Sequence, residues 1–123
     1  MIQSIPDDTE IRLKVVFFRT ERGSEPVREW LKSLSLDEMR TIGEDIKTVQ
    51  FGWPLGMPIV RKIETGLWEV RSRSVDRIAR ILFTIQNGRM VLLHGFIKKS
   101  NKTPQDDLSL ARRRLAQLRG ENE

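Results

Sequence analysis

Apolar and polar positions change their period along the chain, and the changes mark its elements. The run Val15-Val16-Phe17-Phe18 is β-branched and aromatic and predicts a first strand over residues 11–19, after a loose arm at 1–10. Gly23-Ser24-Glu25-Pro26 turns the chain, and Ser24 with Pro26 opens a helix carrying Val27, Trp30, Leu31 and Leu34 on one side. Ser35-x-x-Glu38 is a capping box for a second helix, whose Met39, Ile42, Ile46 and Val49 keep the 3.6-residue period until Gly52-Trp53-Pro54. A short strand follows over 57–64, and Thr65-Gly66 turns it into Leu67.

From Leu67 the period becomes two. Trp68 and Val70 point one way while Glu69, Arg71 and Arg73 point the other; Ala79, Ile81, Phe83 and Ile85 then oppose Arg80, Leu82 and Thr84. Asn87-Gly88 is the signal of a two-residue type I′ hairpin, so Gln86 pairs with Arg89. Counting back along an unbroken ladder sets Ile81 across from His94 and Arg80 across from Gly95. Since paired residues share a face, His94 falls on the apolar side with Phe83 and Leu92. Arg80 falls on the side of Lys99, beside a glycine that leaves room for something to approach. With Arg71 and Arg73, that wall holds four cations and the single carboxylate of Glu69. A solvated basic face would alternate in the same way; Gly95 and the lysine-rich run at 98–104 argue for a site instead. Thr103-Pro104-x-Asp106 caps a last helix, with Leu108, Ala111, Leu115 and Leu118 as its apolar stripe beside Arg112, Arg113, Arg114 and Arg119. That stripe is expected to cover Leu82, Leu93 and Ile97, which share the cationic side.

The elements add up to an α+β fold in one domain, 11–123, and 123 residues allow one real core and no more. Charge divides it. Residues 1–60 hold 8 Lys/Arg against 10 Asp/Glu, whereas residues 61–123 hold 14 against 7, giving −2 and +7 of the total +5. A basic second half favours a polyanionic partner. Zero cysteines exclude a disulfide scaffold and thiol chemistry, and there is neither an apolar run long enough for a bilayer nor a signal segment, so a soluble cytoplasmic protein is expected.

One histidine, no carboxylate cluster and no glycine-rich phosphate loop leave little to hold a metal or a nucleotide cofactor. RNA needs neither, because its 2′-hydroxyl is a built-in nucleophile. The protein has only to orient the chain, move two protons and stabilise the crowded phosphorane with fixed cations, for which the arginine fork is suited.

The segments LWEVR, RIARILF and LLHGFIKKSNKTP, with the basic helix after them, resemble the HigB-like, phage-derived branch of the RelE/ParE toxin superfamily over residues 11–119. The most specific part is F-x-K-K-x-x-K-T-P at 96–104. The resemblance implies a small RelE-like toxin with an N-terminal strand, two helices, an antiparallel sheet with the Asn-Gly hairpin and a C-terminal basic helix. It implies a cognate antitoxin, expected to be a helix-turn-helix protein, and cleavage of mRNA on the ribosome. By motif position Arg71 and Arg80 take phosphate and transition-state contact, and Lys98, Lys99 and Lys102 match the basic loop, where a lysine crowded by cations can turn to proton transfer. Arg73, Arg112 and Arg113 are expected to bind RNA. Glu69 is either the general base or an ion-pair partner that orients Arg71, and His94 is either a core residue or a catalytic one. No tyrosine is present, so base stacking falls to Phe96, Trp53, an arginine plane or another arrangement altogether. The alternative within the superfamily is a ParE-like toxin that inhibits a protein such as gyrase by binding.

Overall fold

A computed structural model describes residues 12–99 and 103–120. The element order is β1 (Lys14–Phe17), α1 (Pro26–Lys32), α2 (Leu36–Gly52), β2 (Val60–Glu64), β3 (Leu67–Arg73), β4 (Ile78–Gln86), β5 (Arg89–Ile97) and α3 (Gln105–Arg119). The strands form one sheet in the order β1-β5-β4-β3-β2, antiparallel except that β1 runs parallel to β5. The expected N-terminal arm and Lys102 lie outside the described residues.

Local signals explain most boundaries. Ser35 caps α2 with its hydroxyl on the Glu38 amide, and Glu38 reaches back to the Ser35 amide, the reciprocal box the spacing predicts. Asn87 (φ 53°) and Gly88 (φ 75°) both take the left-handed conformation a type I′ turn demands, and Gln86 pairs with Arg89. Other boundaries shift. The first strand pairs only over Lys14–Phe17, and β2 begins at Val60 rather than at 57. The cap of α1 is Glu25 rather than Ser24, with Pro26 opening the helix. Pro104 stands at the N-cap of α3, and the Thr103 hydroxyl, expected to cap it, points elsewhere.

Each face of the sheet carries its own core. On one side Val70, Ile81, Phe83, Met90 and Leu92 pack with Val27 of α1 and Ile42, Ile46 and Val49 of α2. On the other side Leu67, Leu82, Val91, Leu93 and Phe96 meet Leu108, Ala111 and Leu115 of α3, as the stripe on that helix predicts. Non-directional burial of these apolar faces is what holds helices of such modest length in place.

The ladder between β4 and β5 is not unbroken, and the break corrects the counted register. Phe83 pairs with Leu92 but Leu82 pairs with His94, leaving Leu93 as the extra residue of a β-bulge. The Leu93 carbonyl accepts from Arg114 Nη1 at 2.8 Å, so α3 satisfies a group that the bulge takes out of the ladder. Beyond the bulge every partner moves by one. Ile81 faces Gly95, Arg80 faces Phe96, and Ile97 pairs with Ala79 and joins the α1/α2 core rather than the cationic side. Gly95 likewise serves packing and not ligand approach: a Cβ there would lie 2.4 Å from ring carbons of Trp30.

Candidate nucleic-acid interface

Beyond the apolar patch that packs on α3, the same face of the sheet carries charge. Alternation along β3 puts Glu69, Arg71 and Arg73 on it, and cross-strand pairing brings Arg80 opposite Arg71 and Arg61 opposite Glu69. The bulge decides what β5 adds. With the register moved by one, Lys98 rather than Lys99 joins the cluster, and its amide is tied to the Ile78 carbonyl at 2.7 Å.

Arg80 and Glu69 are fully buried, at 1% and 0% side-chain exposure, and form an ion pair at 3.4 Å. Thr103 completes the group: Arg80 Nη1 donates to the Thr103 hydroxyl at 3.3 Å, and that hydroxyl donates to Glu69 Oε2 at 3.3 Å. Glu69 therefore pairs with Arg80 and not with Arg71, which corrects the expected partner. Its second oxygen, Oε1, is buried with no hydrogen-bond partner among the described residues, as is Nε of the half-buried Arg71.

Electrostatics follow from the crowding. Burial pushes the Arg80 guanidinium below its ordinary range; Glu69 opposes this, and Arg71 and Arg61 add to it. Lys98 is held below the ordinary lysine range by partial desolvation and then by Arg80, Arg71 and Arg73, with Glu69 opposing. A lysine so placed gives up its proton more readily than one in water, which is the property proton transfer requires.

At the Arg73 end of the sheet the wall opens into two cavities that share Arg73 and Ile78. One, of about 310 Å³, includes Arg71, Thr41 and Asp45; the other, of about 370 Å³, includes Lys98, Lys99 and the 74–77 turn. Arg73, Arg77 and Lys99, among the residues lining them, are exposed.

Other expected residues stand apart. Arg112 forks onto Glu64 at 2.7 and 3.1 Å, at the Leu67 end of the sheet, and the exposed Arg113 is its neighbour on α3. His94 does not enter the α1/α2 core. The bulge turns it to the α3 side, where Nε2 lies 2.5 Å from Asp107 Oδ1 and its ring stacks on Phe96 at 5.6 Å. Trp53 is engaged by Trp68 and Phe83 in edge-on contacts at 5.1 and 5.7 Å, and Phe96 is 8% exposed. Sequence reasoning missed Arg61 and Thr103. Alternation along β2 around the buried Val60 marks Arg61 as outward-facing; nothing local distinguishes a hydroxyl that bridges an ion pair from one that caps a helix.

A mostly antiparallel sheet, with a strand and two helices before it and one helix after, is the architecture of the RelE-like toxins. Residues 29–116 match the family described as phage derived protein Gp49-like (DUF891), and the chain belongs to that family, a HigB-like branch of the RelE/ParE toxin superfamily. Membership in a toxin family implies a cognate antitoxin. No curated protein gives a significant match to the chain. Among the described residues no helix is long and apolar enough to cross a membrane.

Proposed function

We propose that the chain is the toxin of a type II toxin–antitoxin pair and that it cleaves mRNA on the ribosome, using the 2′-hydroxyl of the RNA as nucleophile. The observation that carries this reading is the direct register of Arg71 with Arg80, with Lys98 within the field of both. A protein that only occludes a partner gains nothing from pairing two arginines across strands beside a buried carboxylate, whereas a phosphorane gains from every fixed positive charge aimed at it.

In the proposed reaction the 2′-hydroxyl gives its proton to solvent water as its oxygen bonds to phosphorus, and the bond to the 5′-oxygen breaks, leaving a 2′,3′-cyclic phosphate and a 5′-hydroxyl. Arg71 and Arg73, which line the same cavity, contact the phosphate. Arg80 adds its charge from beneath, and Glu69 holds it there. Lys98, more acidic than an ordinary lysine, protonates the leaving oxygen, while Lys99 and Lys102 hold the flanking backbone. The partner is a helix-turn-helix antitoxin whose negative charge meets the basic half of the chain.

Expression of the chain alone, followed by mapping of 5′ ends on translated messages, tests the proposal. New 5′ ends inside open reading frames are expected. Intact transcripts together with gyrase–DNA breaks would instead assign the chain to the ParE-like, non-cleaving class.

A further inference from the structure

We infer that Thr103 is a positioning residue of the cationic wall, its hydroxyl fixing the Arg80 guanidinium against Glu69 beneath Arg71. The inference rests on the ribonuclease reading for its kinetic test only. A threonine hydroxyl has one proton to give and lone pairs to accept with. Here both capacities are used, toward Glu69 Oε2 and from Arg80 Nη1, each at 3.3 Å, and the Arg80–Glu69 contact at 3.4 Å closes the triangle.

Thr103 is free to do this because it does not cap α3. Pro104 occupies the cap position with no side-chain hydrogen bond, and the residue before a proline is held in extended backbone. The hydroxyl therefore turns onto the sheet rather than along the helix. Each added non-collinear contact narrows the rotation of a long guanidinium side chain, and the Thr103 hydroxyl supplies one on a different partner from Glu69. Bonds to charged groups are also the stronger ones in a buried setting. Thr103 thus ties the head of α3 to the pair on which the direction of the Arg80 charge depends.

The test uses the full chain and compares Thr103→Val, which keeps the shape and loses the hydroxyl, with Thr103→Ser, which keeps the hydroxyl. Single-turnover cleavage of mRNA on programmed ribosomes is measured over a range of enzyme concentrations, and the Arg80 side-chain NMR resonances are followed in each variant. Thr103→Val is expected to lower the maximal rate at least about tenfold, the loss expected when one charge-assisted hydrogen bond is removed, with half-saturation unchanged. Its Arg80 resonances should shift and exchange faster with water, and Thr103→Ser should restore both rate and resonances. A Thr103→Val protein with the wild-type rate and unaltered Arg80 resonances would overturn the inference, as would a serine variant no better than valine. If the wild-type chain cleaves no RNA, the ribonuclease reading fails, and the Arg80 resonances alone decide whether Thr103 positions the guanidinium.

Discussion

Arg71 and Arg80 stand directly opposite each other on β3 and β4, two like charges at the position where a sheet tolerates them least. The sheet accommodates them unequally. Arg80 lies fully buried against Glu69 and Thr103, while Arg71 stays half-buried and lines an open cavity. One arginine is therefore fixed within the fold, and the other is partly open to solvent.

That division separates two substitutions. Arg80→Ala leaves the Glu69 carboxylate buried without its charge partner, and is expected to lower unfolding stability by about 3–5 kcal/mol. Arg71→Ala removes a repulsion and a partly solvated side chain, and is expected to change stability by less than about 1 kcal/mol. Denaturant unfolding of the two variants checks this. Equal, small losses would mean that the Arg80–Glu69 pair is not buried in solution.

His94→Ala loses the Asp107 contact and the stack on Phe96, neither of which is a cation of the wall. A destabilisation of about 1–2 kcal/mol is expected, with cleavage per folded molecule retained. Activity normalised to the folded fraction decides it. A fully stable His94→Ala protein without activity would make the histidine catalytic.

Gly95→Ala drives a methyl group into the Trp30 ring and is expected to destabilise by about 1–3 kcal/mol through overpacking. Trp30→Leu in the same chain should recover part of that loss, since the clash is with the indole. A double-mutant cycle of melting measurements tests the coupling. Additive losses would place Gly95 elsewhere than under Trp30.

Glu38 supplies the pH dependence. Arg77 forks onto its carboxylate and the helix cap adds hydrogen bonds, which together hold its pKa at about 2 against an ordinary 4.5. A group depressed on folding stabilises above its unfolded pKa, and that contribution fades as pH falls through the folded value. The stability difference between wild type and Glu38→Gln should therefore be full at about pH 6 and shrink steadily toward about pH 2. A difference independent of pH over that range would show that the fork contributes nothing.

How much of this was legible in the sequence depends on whether the signal was local. The Ser35/Glu38 box, the Asn87-Gly88 turn and the leucine stripe of α3 are each written within a few residues, and each appears where the pattern puts it. The Leu93 bulge is different. Arg114, which lies 21 residues away, donates to the carbonyl at the bulge, and no alternation within the hairpin could reveal that contact. The consequences of the bulge reach core and site alike: His94 changes faces, Gly95 goes under Trp30, and Lys98 takes the place counted for Lys99. The cationic wall survived the shift because Arg71 and Arg80 are paired through β3 and β4, before the bulge intervenes.

The most direct test is the rate at which purified chain cuts a ribosome-bound mRNA, compared between wild type and Arg71→Ala. Arg71→Ala should fold normally and cut at least about a hundredfold more slowly, the loss typical of removing one preorganised transition-state contact. Cutting by Arg71→Ala at the wild-type rate would contradict the assignment of this wall as the site of RNA cleavage.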